Sequence, residues 1–185
     1  MSDIVFNSGQ YSNHTSTRVI DEVNRVKNKR LKIYPLILDF IESGGQLSDA
    51  SLIKYNIHIN DNDRRHLQSL FDYLSSQQNY LVFLRIFQRD YKTMIEDAIN
   101  LVVIFTSVDN PYIRDLIRGD GIHIEDAEII VDAYYWSWGK TNPKYITIER
   151  RSIEENRESI LQILHRYCTD FPETGLELLN ISELT

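Results

Sequence analysis

Apolar residues recur at intervals of three and four along most of this chain, and that spacing places them on one face of an α-helix. The chain has 185 residues but only 7 glycines and 4 prolines. A sandwich or barrel, which turns about every 8–12 residues, needs more turn formers than that. The sequence therefore predicts an all-α fold of roughly seven to nine helices, arranged as an irregular bundle or a short helical-repeat-like array. The predicted helices lie near residues 17–33, 35–43, 48–55, 61–74, 80–87, 90–107, 111–118, 124–137 and 153–167.

Three segments carry less regular patterns. Pro35 lacks a backbone donor and disfavours the helical conformation of the residue before it, so we expect two helices that meet there at a kink. Residues 80–87 are apolar on nearly all sides, which fits a buried helix or a central strand. We choose the helix because no turn former separates them from 90–107, the predicted central helix with the widest apolar stripe. Residues 145–148 alternate and predict a minor β element.

The domain organisation follows from the same patterns. Residues 1–15 are polar and aperiodic, which predicts a loose N-terminal arm. No low-complexity linker divides the remainder, and the length is that of one ordinary domain. We therefore predict a single helical domain over residues 16–185.

The chain is acidic, because 27 Asp and Glu outnumber 20 Lys and Arg and give a formal net charge of −7. This sign repels a nucleic-acid backbone, so nucleic acid is not an expected partner. The sequence shows neither a secretory signal nor an apolar run long enough for a membrane span, so no membrane association is expected. The single cysteine, Cys168, excludes an internal disulfide and is typical of a reducing cytoplasm, either the cell's own or a host's.

Motifs for phosphate binding and for nucleophilic catalysis are incomplete. Residues 139–141 match the end of a Walker A loop, but Tyr134 occupies the position of its first glycine. His165 and Cys168 share one helix face, but the thiol lies near the carboxyl end of that helix, where the dipole disfavours a thiolate. We therefore predict no catalytic residues and no cofactor.

Acidic residues are densest at the start of the helix predicted at 124–137. Glu125, Glu128 and Asp132 would share one face of that helix, with His123 just before it. Carboxylates grouped this way suit a hard cation, so a metal-dependent enzyme using these four residues is the alternative function. The helix dipole also favours acids in the first turn, and we prefer that structural interpretation.

The segment from Tyr134 to Trp138 reads Tyr-Tyr-Trp-Ser-Trp and is the most unusual local feature. Helical spacing places Tyr134 and Trp138 on one face, with Tyr135 and Trp136 pointing elsewhere, so some rings are expected at the surface. Packing against the neighbouring helix and Tyr145 is the alternative. Because exposed Tyr and Trp rings are typical interface anchors, we predict that Tyr135, Trp136 and Trp138 bind a partner.

A run of cations offers a second candidate surface. Arg25, Lys29 and Arg30 lie within residues 25–32, which contain five Lys and Arg and no acid. Such a run is usually a solvated helix face, and a docking patch for an acidic partner is the alternative. We include these three residues in the predicted partner-binding set.

These features together predict a non-catalytic protein that acts by binding another protein. One form is an acidic inhibitor or immunity-type protein that neutralises a basic partner, whose approach the net charge would accelerate. The other form is a regulatory adaptor. Self-association into a homo-oligomer is compatible with either form.

Overall fold

A computed structural model of the chain describes residues 12–44, 60–147, 150–168, 175–180 and 183. Helices make up 68% of these residues, which form seven helices, and the strands are confined to two short parallel pairs. The predicted all-α fold is therefore confirmed. The helix predicted at 48–55 and most of the predicted N-terminal arm lie outside the described residues.

The strands pair in the order β1–β2 and β3–β4, with His14 opposite Val103 and Lys144 opposite Glu177. β3 confirms the minor β element predicted near 145–148. Within the described ranges, no helix has both the length and the apolar character needed to cross a membrane. In chain order the elements are β1 (His14–Ser16), α1 (Thr17–Glu42), α2 (Asp61–Ser75), α3 (Tyr80–Asn100), β2 (Val103–Phe105), α4 (Pro111–Arg118), α5 (Ile124–Ser137), β3 (Lys144–Thr147), a π-helix (Arg150–Glu154), α6 (Arg157–Tyr167) and β4 (Glu177–Asn180).

The chain divides into two compact units, each with its own hydrophobic core. We call them the mixed unit (Met1–Ile20 and Val102–Thr185) and the helical unit (Asp21–Leu101). The mixed unit contains nine Lys and Arg against sixteen Asp and Glu, whereas the helical unit contains eleven of each. The net charge of −7 therefore belongs to the mixed unit. A single domain over 16–185 stays a prediction.

In the helical unit, α1 runs without interruption through Pro35, so the predicted break into two helices is wrong. Pro35 is exposed, whereas Ile33, Tyr34 and Ile37 around it are fully buried. Burying one large apolar side chain stabilises by about 1.5–3 kcal/mol, and proline in a helix costs about 3 kcal/mol. The packing of the three buried side chains thus outweighs the cost of the proline.

α3 begins at Tyr80 and continues to Asn100, which confirms the helical interpretation of residues 80–87. Its inward face includes Leu84 and Tyr91, which are buried between α1 and α2 side chains of the same core. The opposite side of α3 is exposed. α3 therefore buries only one of its faces and is not the central helix that the sequence predicts.

The helix predicted to reach residue 107 is wrong beyond Asn100, because β2 forms at Val103. β-Branched residues favour an extended backbone, and three of the four residues at 102–105 are β-branched. β1 supplies the hydrogen-bond partner, since the Val103 N–H donates to the Asn13 carbonyl at 2.8 Å. The same pairing corrects the end of the predicted loose arm, where residues 14 and 15 are part of a strand.

In the mixed unit, α4, α5 and α6 pack around a core that β4 also joins. Asn110 is the N-cap of α4, because its side chain accepts a hydrogen bond from the Ile113 N–H at 3.2 Å. Pro111 follows in the first turn, where its missing N–H removes no helical hydrogen bond. Cys168 is 3% exposed at the end of α6, as expected of a structural thiol. The largest core side chains are Ile113, Ile117, Ile130, Tyr134, Ile153, Ile160 and Leu164.

A hydrogen-bonded aromatic cluster lies in the core of the helical unit. The Tyr34 hydroxyl and His66 Nε2 are 2.9 Å apart. The rings of Phe87 and Tyr91 meet the Tyr34 ring edge-on at centroid distances of 5.4 and 5.7 Å. Burial, together with the positive charge of Arg30, lowers the pKa of His66 below that of a free histidine. His66 is therefore neutral at pH 7.

Acidification should destabilise the helical unit through His66. The unfolded chain binds this proton at a higher pH than the folded unit does, so stability falls as the pH drops below about 6.5. We expect the urea midpoint to decrease between pH 7 and pH 5, and His66→Gln, which keeps a polar group near Tyr34, to remove most of that decrease. His123→Gln, at an exposed position, is the control. An unchanged pH dependence in His66→Gln would contradict the assignment.

Candidate functional site

The candidate site consists of Trp136, the His14, Phe105 and Lys140 side chains around it, and Trp138 two residues further along the chain. We call these five residues the aromatic surface. The Trp136 ring stacks on Phe105 at a centroid distance of 5.7 Å and lies 4.7 Å from the His14 ring. Lys140 Nζ lies 5.8 Å from the centroid of the Trp136 ring. Burial first, and the charge of Lys140 second, lower the pKa of His14. Trp136 therefore attaches β1 and β2 to α5 and is only half-exposed.

Trp138 is the most exposed ring of the aromatic surface, with 53% of its area accessible. It is the residue that ends α5, and its backbone is extended (φ −58°, ψ 128°). Gly139 follows with φ +68°, a conformation that favours glycine, and turns the chain away. The prediction that Tyr134 and Trp138 share a helix face is therefore wrong. Tyr134 lies within α5 and its side chain is buried, whereas Trp138 lies beyond the end of the helix.

Tyr135 has a structural contact. Its hydroxyl accepts a hydrogen bond from Asn110 Nδ2 at 2.9 Å, which joins α5 to the residue that begins α4. The ring is partly buried against the core of the mixed unit. Of the three aromatic residues predicted to bind a partner, Trp138 is thus the one whose ring is mostly accessible, while Tyr135 and Trp136 hold neighbouring elements.

The predicted basic residues lie in the helical unit, where two of them share a buried carboxylate. Lys29 Nζ lies 2.6 Å from Asp63 Oδ2, and Arg30 Nε lies 3.2 Å from Asp63 Oδ1. Burial alone would raise the pKa of Asp63, but the hydrogen bonds from Lys29 and Arg30 outweigh it and hold the pKa below its usual value. These two cations attach α1 to α2. Arg25, whose side chain is 73% exposed, remains at the surface.

Two arginines form ion pairs with carboxylates of the predicted metal cluster. Asp132 is 1% exposed and accepts hydrogen bonds from the Val108 N–H at 2.8 Å and from Arg18 Nε at 3.4 Å. Glu128 lies 2.7 Å from Arg18 Nη1 and 3.4 Å from Arg114 Nη1. Two of the four proposed ligands are thus committed to ion pairs.

The remaining two members, His123 and Glu125, are exposed at the start of α5. Across the part of the chain that the structure describes, no three His, Cys, Asp or Glu side chains are placed to hold a metal ion. A shallow depression lies beside the ion pairs and is lined in part by Arg18, Asn110 and Arg114. It encloses no space large enough for a water molecule, so it is not a pocket for a small-molecule substrate.

Sequence reasoning missed three members of the aromatic surface. Lys140 follows Trp136 by four residues but lies beyond the end of α5, so its contact arises from the turn at Gly139 and not from helical spacing. His14 and Phe105 reach Trp136 through the pairing of β1 with β2, which joins segments about ninety residues apart. No local pattern predicts such a pairing.

Comparisons with protein-family models, curated proteins and solved structures found no match to this chain. The function is therefore inferred from the chemistry of the aromatic surface and of the charges around it.

The two tryptophans should differ in their effect on folding. Trp136→Ala removes the ring that packs against both strands, and we expect a loss of about 2–3 kcal/mol in the free energy of unfolding. Trp138→Ala, at a position that is 53% exposed past the helix end, should cost less, about 1 kcal/mol or below. Urea denaturation of both variants measures the difference. Equal losses would contradict the separate roles.

Asp132 should be needed for stability and not for metal binding. Asp132→Ala leaves Arg18 and the Val108 N–H without their acceptor, and we expect a loss of about 3 kcal/mol. Asp109→Ala, at an exposed position in the same unit, is the control. Thermal melts with and without Mg²⁺, Mn²⁺ or Zn²⁺ complete the experiment. A cation-dependent rise of several degrees in the wild type that Asp132→Ala abolishes would restore the metal-site hypothesis.

Proposed function

We propose that this protein acts without catalysis, by binding another protein through the aromatic surface. The observation that carries the proposal is the accessible Trp138 ring, which lies just past the end of α5, a helix that buries seven of its fourteen side chains. A large aromatic ring on a rigid support loses little conformational entropy on binding, which is why such rings are common interface anchors. Lys140, whose Nζ lies 5.8 Å from the centroid of the Trp136 ring, adds a charged donor to the aromatic surface.

The distribution of charge favours a basic partner. The mixed unit, which carries the aromatic surface, contains sixteen Asp and Glu against nine Lys and Arg. An excess of this size attracts a positively charged protein and accelerates its association at low salt. An acidic inhibitor or immunity-type protein that covers a basic partner fits these properties. The lone buried thiol of Cys168 suits a reducing cytoplasm, where we place the protein.

A regulatory adaptor is the second form of the same proposal. It would use the same anchor without blocking an active site, so the two forms differ in what happens to the partner's activity. A metal-dependent enzyme is not proposed, because Glu128 and Asp132 are held by Arg18 and Arg114.

Capture of the partner should depend on Trp138. Wild-type protein, Trp138→Ala and Tyr112→Ala are immobilised, and proteins bound from the native host are identified and quantified. Tyr112 is 61% exposed in the same unit and serves as the matched aromatic control. We expect Trp138→Ala to lower recovery of the specific partner by about tenfold or more, and Tyr112→Ala to retain it.

The partner's identity and activity then separate the two forms. A basic enzyme or toxin that the wild-type protein inhibits supports the inhibitor, whereas a partner that remains active in the complex supports the adaptor. Equal recovery by all three proteins would overturn the proposed function.

A further inference from the structure

The outward face of α3, in the helical unit, carries large apolar side chains that the fold leaves exposed. Counted along the helix, Phe83, Ile86, Met94 and Leu101 follow helical spacing and lie on one side. Their exposed fractions are 38%, 42%, 57% and 53%. Leu84 and Tyr91, which face the core, are almost completely buried. At 100° per residue, the exposed apolar residues lie about a quarter turn around α3 from Leu84 and Tyr91, so they form an apolar surface beside the one that the helical unit buries.

Two aspartates complete the exposed stripe. Residues 83, 86, 90, 94, 97 and 101 are separated by three or four positions throughout, so Asp90 and Asp97 lie in line with the apolar side chains. Asp97 is exposed, and the Asp90 side chain is 59% exposed. The eighteen residue steps from 83 to 101 span about 27 Å of helix. The stripe therefore begins with two apolar side chains, Phe83 and Ile86, and then alternates between negative and apolar groups as far as Leu101.

Asp90, one of the two aspartates of the stripe, forms an exposed ion pair that a cation of another molecule can replace. Asp90 lies 2.9 Å from Arg89, its neighbour in sequence, and the Arg89 side chain is 72% exposed. An ion pair this exposed contributes little to stability, so a cation from another molecule can replace it at small cost. Tyr73, on α2, meets the Phe83 ring edge-on at 6.2 Å and widens the apolar end of the stripe.

We propose that the outward face of α3 binds a basic amphipathic helix of another protein. Apolar residues at the same spacing on the partner would pack on Phe83, Ile86, Met94 and Leu101, and its Lys or Arg residues would pair with Asp90 and Asp97. Met94 adapts its shape to different apolar neighbours. A second copy of this chain fits less well, because two stripes placed together would bring four aspartates into one interface.

The proposal is independent of the aromatic surface, which belongs to the mixed unit. It is tested with two synthetic amphipathic peptides of about 18 residues, one of Leu and Lys and one of Leu and Glu, with the same apolar spacing. Binding is measured by fluorescence anisotropy of the labelled peptides at two salt concentrations. We expect the Leu–Lys peptide to bind at least about tenfold more tightly.

Variants locate the binding site. Asp97→Lys reverses one charge of the stripe, and Asp39→Lys makes the same change at an exposed position of α1 in the same unit. We expect Asp97→Lys to weaken Leu–Lys binding by about tenfold and Asp39→Lys to change it by less than about twofold. Ile86→Ser should weaken it as well, and its unchanged circular dichroism melt should show that the fold is kept. Trp138→Ala should have no effect.

Three results would overturn the proposal. Equal weakening by Asp97→Lys and Asp39→Lys would mean attraction by net charge alone. Equal affinity for the two peptides would remove the role of the aspartates. Self-association of the wild-type protein that Ile86→Ser abolishes would make a second copy the occupant of this face.

Discussion

The buried carboxylate of Asp132 is the group on which the mixed unit depends most. It lies on α5 and receives the Val108 N–H and the Arg18 guanidinium, so it joins a loop and the first turn of α1 to that helix. The same contacts place Thr17 beside Ser107, where the Ser107 hydroxyl accepts from the Arg18 N–H at 2.9 Å. A buried charge is tolerated only when it is paired and hydrogen-bonded, which makes this arrangement specific as well as stabilising.

The aromatic surface rests on that arrangement. Arg18 and Val108, which Asp132 binds, follow the ends of β1 and β2 by two and three residues. His14 and Phe105 of these strands pack against Trp136. Because Trp136 is fixed in this way, the end of α5 is fixed as well, and Trp138 lies exposed just beyond it. Two tryptophans two residues apart therefore serve different purposes, one in the fold and one at its surface.

Local patterns in the sequence were sufficient for the helices, because hydrophobic spacing and caps act within a few residues. α5 has the bounds that its spacing predicts, and Asn110 begins α4 as its side chain allows. The predictions that were wrong concern features that depend on residues distant in the chain. The strand at 103–105 exists because β1 pairs with it, and α1 continues through Pro35 because of packing. In the sequence, Glu128 and Asp132 resemble part of a metal site, because Arg18, which binds both carboxylates, lies about 110 residues earlier in the chain.

Net charge and local charge carry different information about binding. The acidic excess of the mixed unit acts over a distance comparable to the Debye length, about 8–10 Å at physiological salt, and so selects partners by sign before contact. The helical unit has no net charge, and the aspartates of the α3 stripe act only on groups that already touch the helix. Salt should therefore slow association at the aromatic surface more than at the α3 stripe, where the apolar side chains supply most of the binding energy.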